Sequence, residues 1–285
     1  MCKPWFSIGD FTEAAMRECF SDEDDMIDIL RGRGFKIVAV EGEVFWEEDG
    51  YYAFLDRGAD VLAVAHLDSV YDPTPPMISG SRLSSSAVDN RFGVYVILEL
   101  LHRKGITADI LFTTNEESCA STARFFTPPG GRVYNWMVSF DRMGWDAALY
   151  QFHQRDDGAW ERALTRSGFR ITRGTYADIC DMSHIGCKGI NVGIGYCEHA
   201  HSLSAWVDLD IAVDQLNRFK RFYDANCRRK FVHDPKDEFS LASLLLDMDF
   251  PSREAKAERS WADVERDVVR LVDRKRKEAK GGDSG

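Results

Sequence analysis

Four short apolar runs, each ending at or just before a side chain capable of chemistry, constrain this chain most. They are VLAVAH (61–66), ADILFT (108–113), YNWMVSF (134–140) and GINVGIGY (189–196). Such runs offer no polar face to water, so each reads as a strand covered on both sides. Helix-length segments separate them: Asn90 to His102, ended by Lys104-Gly105, then Ser118 to Phe126, Gly158 to Ser167, and the amphipathic Asp208 to Asn226. A further short strand is expected from Ala147 to Phe152. The alternation predicts an α/β fold, three-layered α/β/α, with a mostly parallel mixed central sheet. In sheets of that kind ligands collect at the carboxyl ends of the strands.

The flanks read differently. Residues 1–60 form a small N-terminal element that either joins the main sheet or covers it. It holds a helix from Asp22 to Leu30 with an acidic first turn, which suits the helix dipole. It also holds a strand from Lys36 to Trp46, with Tyr51 to Leu55 as its partner across EEDG. The Pro/Ser/Gly-rich stretch from Asp72 to Ser86 reads as a long functional or mobile loop. From Ser252 onward the chain is charged and helix-prone, with Trp261, Val264, Val268, Leu271 and Val272 spaced at three and four. That pattern is a solvated helix docked by one stripe, or else a contact for a homo-oligomer or partner. The expected organisation is one α/β domain over 1–250, then a charged helix and disordered tail over 251–285.

A chain of 285 residues can bury a full core. With 36 basic against 47 acidic residues, its net charge of −11 argues against nucleic acid or anionic membrane as a partner. The N-terminal MCKPWFSIGDFTEAAM lacks the apolar core of a signal peptide, and no run approaches a membrane span. Seven cysteines without a framework spacing fit free thiols in a reducing compartment, so a cytoplasmic location is expected.

The chemistry-bearing residues come in the order His66, Asp89, Glu116-Glu117, Asp141, His201. His66 closes the first apolar run, and Asp68 points the same way two residues on, placed to orient the imidazole. A lone H-x-D is common by chance. Asp89 stands at a loop-to-helix junction, where a helix N-cap is the plain alternative to a carboxylate spanning two cations. Glu116 and Glu117 put two like charges at one strand end, which is costly without cations nearby. They can divide the labour, Glu117 as ligand and Glu116 as general base. Asp141 repeats the strand-then-carboxylate pattern as a ligand beside His66. His199 and His201 share one i, i+2 relation, so spacing alone leaves the second imidazole open. Two divalent cations are implied, and histidine with carboxylate donors favours zinc, with manganese or cobalt as alternatives.

The blocks AHLDSV, AVDNRFGV, TTNEES, SFDRMG and GYCEHAHSLSAWVDLDI together resemble the di-zinc exopeptidases, which include zinc aminopeptidases and peptidase T-like enzymes. The resemblance runs from about residue 60 to residue 227. It implies a phosphorylase/hydrolase-like core with the metal site at the carboxyl ends of the strands. It also implies His66, Asp89, Glu117, Asp141 and His201 as ligands, with Asp89 bridging and Glu116 as base. His201 is preferred to His199 because Ser202 and Trp206-Val207-Asp208-Leu209 follow it in the family's register. Asp178 in GTYADIC is similar to the family's S-D element, with Ala177 in place of Ser. Asn90 departs from the second acidic residue of many members, and Cys119, Cys187 and Cys197 are unexpected; they read as small buried hydrophobes. The sixty residues from Asp141 to His201 are too few for an inserted dimerisation domain, which implies the compact branch. The implied activity is an aminopeptidase-type hydrolysis of a peptide substrate. The alternatives are a non-peptide amidohydrolase of deacylase or desuccinylase type, and a binding protein on an inactive peptidase fold.

Overall fold

The computed structural model describes residues 4–41, 49–149, 158–174 and 176–233. The expected C-terminal helix, the end of the Lys36–Trp46 strand and residues 150–152 lie outside them.

The apolar runs become strands β3 (Val61–His66), β6 (Asp109–Thr113), β7 (Trp136–Met143) and β10 (Gly189–Tyr196). They lie side by side in the order β6-β3-β7-β10, all parallel. Alternate residues of β3 enter different cores: Val61, Ala63 and Ala65 on one face, Leu62 and Val64 on the other. Both faces are therefore dry, which is why these strands read as continuous apolar runs.

Antiparallel strands extend this parallel centre. On one side β2 (Gly50–Leu55) pairs with β6, and β1 (Lys36–Val40) pairs with β2. The N-terminal element thus joins the main sheet. On the other side come β11 (Trp206–Asp208), β5 (Arg82–Ser84) and β4 (Met77–Ser79). The segment expected as a loop from Asp72 to Ser86 therefore contains a hairpin. Gly80, at φ +63°, and Ser81 form its two-residue turn. Two short strands, β8 (Ala147–Leu149) and β9 (Ile171–Arg173), pair with each other beside β10.

One face of the sheet carries the long helices. A helix runs from α3 (Val88–Tyr95) through a π turn (Val96–Leu100) into α4 (Leu101–Arg103), close to the expected span. Also present are α1 (Glu13–Met16), α2 (Glu23–Gly32), α5 (Ala159–Arg166) and α6 (Leu209–Asn226). Asp208 caps α6, its carboxylate accepting from Asp210 N at 2.9 Å. Phe219 and Phe222 of α6 pack edge-on against Trp136 of β7 at 6.0 and 5.0 Å between ring centroids.

The other face is covered by 3-10 turns, Thr122–Phe125, Asp178–Asp181 and Ser183–Ile185. The helix expected from Ser118 to Phe126 is reduced to the first of these. Thr122 Oγ1 binds the Tyr51 carbonyl and the Thr114 N–H, and Ser121 Oγ binds Asp178. These side-chain bonds compete with helical ones, and Asn115 and Cys119 sit at positive φ.

The glycines of β10 let neighbouring backbone approach closely. A Cβ at Gly193 would stand 2.5 Å from the Asp146 carbonyl oxygen.

Candidate metal centre

His66 ends β3 with its imidazole buried, 1% exposed. Its Nδ1 lies 3.0 Å from the Asp68 carbonyl oxygen and 3.5 Å from the Asp68 carboxylate. The backbone carbonyl, more than the expected carboxylate, therefore orients the ring. That frees the Asp68 side chain to accept the Glu117 N–H at 3.0 Å.

The His66 Nε2 faces three carboxylates: Asp89 at 3.3 Å, Asp141 at 3.6 Å and Glu116 at 3.7 Å. Asp89 does not cap its helix. Its φ/ψ of −89°/110° is non-helical, and its peptide bond to Asn90 is cis. One oxygen of Asp89 faces His66, while the other lies 3.0 Å from His201 Nε2. His201 also meets Glu117 at 3.3 Å, so it is the histidine that joins the cluster. Two groups sharing Asp89 result, His66–Asp89–Asp141 and Asp89–Glu117–His201, each with its donor atoms within 4.8 Å of one another. Glu116 sits beside the first. The His66 side is closed, and the His201 side, with that side chain 46% exposed, is open to solvent.

The electrostatics are those of a site short of positive charge. Burial pushes the Glu116 and Asp141 carboxyls well above the carboxylate range, and neighbouring acids add to it. Glu117 is pushed up to about 7 by burial and by Asp89. Burial opposes charge on His66, but Glu116 and the adjacent Asp141, Asp68 and Asp89 carboxylates outweigh it and raise the imidazole well above 6.5. His201 rises to about 9, chiefly through its hydrogen bond to Asp89. Asp89 is pulled well down: burial acts against it, and the two histidines prevail.

Orphaned atoms point the same way. His66 Nε2, Asp89 Oδ1 and Glu117 Oε1 are fully buried without a hydrogen-bond partner. Buried polar atoms are almost always paired, so this set fits a pair of cations, with nitrogen and carboxylate donors of the kind zinc takes.

Supporting contacts that the sequence does not advertise hold the cluster. Asn191 clasps the Asp141 backbone, its Oδ1 accepting at 2.9 Å and its Nδ2 donating at 2.8 Å. Tyr196 donates to Asn90 Oδ1 at 3.0 Å. Asp178 is fully buried beneath the strand end, accepting from Thr113 and Ser121, both at 2.6 Å. Of the three unexpected cysteines Cys187 is buried, as expected, while Cys119 and Cys197 are partly exposed. Cys197, directly after β10, accepts the Trp206 N–H on its Sγ at 3.4 Å. Among the described residues no helix is long and apolar enough to cross a membrane.

Residues 55–175 match the model of peptidase family M28, a segment that includes His66, Asp89, both glutamates and Asp141 but ends before His201. Comparison with curated proteins returns no match. Among solved structures the chain is similar to the aminopeptidase PepT from Bacillus cereus ATCC 10987, at 11% identity over 76% of this chain and 98% of that one, TM-score 0.55. It is similar to a tripeptidase from Staphylococcus aureus subsp. aureus Mu50, at 9% identity over 76% and 100%, TM-score 0.51. A glutaminyl cyclase from Porphyromonas gingivalis is also similar, at 13% identity over 78% and 99%, TM-score 0.53. At these identities the likeness carries the fold. Residues 55–175 thus match peptidase family M28, and the chain built around them shares the fold of an aminopeptidase and a tripeptidase of known structure.

Proposed function

We propose that this protein is an aminopeptidase-type hydrolase that cleaves a peptide bond near a free terminus, using two divalent cations, zinc by the donor set. The observation that carries the reading is Asp89, whose two oxygens are divided between two histidine–carboxylate groups lined by unpartnered buried atoms. His66 and Asp141 would hold one cation and Glu117 and His201 the other, with Asp89 shared between the two groups. When bound, such a pair supplies Lewis-acid polarisation and lowers the pKa of water into the neutral range.

The rest is the work of this chain. Glu116, held out of the ligand set beside His66, takes a proton from the attacking water as the new C–O bond forms. It then returns that proton to the amine nitrogen as the C–N bond breaks. Asp68 positions two partners at once, His66 through its carbonyl and Glu117 through its carboxylate. The open His201 side, with that side chain 46% exposed, admits substrate.

Elemental analysis after zinc reconstitution, followed by a panel of aminoacyl-peptide and N-acyl substrates, tests the reading. About two equivalents of metal with aminoacyl-peptide turnover is the expected result. Turnover of the N-acyl set alone would shift the reading to a non-peptide amidohydrolase. No bound metal and no turnover would leave a binding protein on a peptidase fold.

A further inference from the structure

Residues 114–120 carry Glu116 and Glu117 along a path the chain does not favour by itself. They form neither helix nor strand, and Asn115 and Cys119 stand at positive φ, 67° and 59°. The left-handed region is unfavourable for a residue with a Cβ, so contacts from elsewhere must hold this turn.

One oxygen holds both of its ends. Asp178 Oδ1 accepts the Thr113 hydroxyl at the close of β6 and the Ser121 hydroxyl just past the turn, both at 2.6 Å. Asp178 is 0% exposed, and short hydroxyl-to-carboxylate bonds enclosed from water are of the strong kind. The mount is itself braced. Asp178 opens the 3-10 turn Asp178–Asp181, and Asp181 takes the Tyr176 hydroxyl at 2.6 Å and Arg124 at 3.3 Å. Tyr176 Oη in turn accepts the Ser121 N–H at 3.2 Å.

The two glutamates are not held alike. Asp68 fixes the Glu117 N–H, and the Glu117 carboxylate belongs to one of the two metal groups. Glu116 belongs to neither; its carboxylate meets His66 at 3.7 Å, and the turn that carries it sets that distance. We propose that Asp178 is the positioning residue of Glu116: by tying both ends of the turn to one buried oxygen, it holds the general base where proton transfer needs it. The assignment rests on the peptidase reading above, in which Glu116 is the base. The second oxygen of Asp178, Oδ2, is enclosed with no partner. Asp178→Asn therefore keeps the oxygen that makes both ties, whereas Asp178→Ala cuts them.

The test uses the full-length, zinc-reconstituted protein, with steady-state rates on an aminoacyl-peptide, zinc per chain, and hydrogen exchange across residues 114–122. Asp178→Ala should lower kcat about ten- to hundredfold, as a misplaced base implies, with KM and zinc content close to the parent. Asp178→Asn should restore most of that rate. In a Glu116→Gln background Asp178→Ala should cost little more, because a residue that acts through the base has nothing left to position. The N–H groups of Cys119, Ala120 and Ser121, bonded within the turn and to Tyr176, should exchange faster in Asp178→Ala but not in Asp178→Asn.

Unchanged kcat in Asp178→Ala, an Asp178→Asn as slow as Asp178→Ala, or a loss that multiplies with Glu116→Gln overturns the proposal. So does zinc lost in step with rate, which would make Asp178 a prop of the whole metal centre. If Asp178→Ala fails to fold, Thr113→Val and Ser121→Ala cut the ties one at a time, and normal rates in both overturn it. Hydrogen exchange needs no substrate. In a parent without turnover, a turn that loosens in Asp178→Ala supports the tie while the peptidase reading fails, and a turn that does not loosen overturns the proposal.

Discussion

The carboxylate of Asp68 accepts the backbone N–H of Glu117 at 3.0 Å, tying the strand that ends in His66 to the turn that carries both glutamates. One residue thus sets the relative position of donors that belong to different cations in the proposed site. Asp68→Asn keeps an acceptor for that N–H and keeps the carbonyl that faces His66, so metal content should stay close to the parent. Asp68→Ala loses the acceptor and should lower metal affinity about 10–100-fold. Competition with a zinc indicator separates the two. Equal losses in both variants would mean that the negative charge, and not the tie, is what matters.

Glu116→Gln should keep its metal and lose turnover, by about 10²–10⁴-fold if proton transfer is its role. Metal per chain and initial rates on one preparation measure both. Unchanged turnover would remove Glu116 from the chemistry.

Asp89 faces both histidines, so Asp89→Ala should release both cations together, not one. Elemental analysis of the dialysed variant should fall from about two equivalents towards none. Retention of one full equivalent would show that the two groups hold metal independently.

Gly93 packs beneath Asn90, and a Cβ there would run into Asn90 Oδ1 and the Phe140 carbonyl oxygen. The carbonyl is strand backbone and cannot move aside. Gly93→Ala should cost about 1–3 kcal/mol in urea unfolding. Because Asn90 adjoins Asp89, it should also reduce metal content. Normal stability and metal content would mean that the helix shifts freely on the sheet.

Acid should weaken a contact away from the candidate metal centre. Burial opposes charge on Asp10, but Lys104 at 2.6 Å and the Ser7 N–H at 2.8 Å outweigh it and hold the carboxyl below 3.8. A lowered native pKa gives stability that is present in full above about pH 5 and lost as pH falls through that native value. The pair is partly screened, so its contribution is about 0.2–1 kcal/mol. Lys104→Met should melt below the parent at pH 6, with the gap closing towards pH 3. A gap independent of pH would assign the effect to the lysine's packing over Phe6 instead.

Local pattern carried much of this protein. β3, β6, β7 and β10 were legible because strands buried on both faces leave unbroken apolar runs. The order of His66, Asp89, Glu116, Glu117 and Asp141 was legible because each follows such a run closely or, for Asp89, stands at a loop-to-helix junction. Segments whose form depends on distant partners were not. The Ser118–Phe126 stretch fails as a helix because Tyr51 and Asp178 draw off its hydroxyls. The Met77–Ser84 hairpin, read as loop, exists because β11 offers it an edge.

The sequence by itself determined that His66, the Glu116-Glu117 pair and Asp141 fall at or near the carboxyl ends of buried strands, since hydrophobic periodicity and the residue after each run are local facts. Tertiary structure alone decided that Asn191 clasps Asp141 and that Tyr196 donates to Asn90; His201, which the family register implied over His199, it brings to Asp89. Each of those depends on the register between segments 50 or more residues apart, or on what packs over a side chain, and a linear pattern encodes neither.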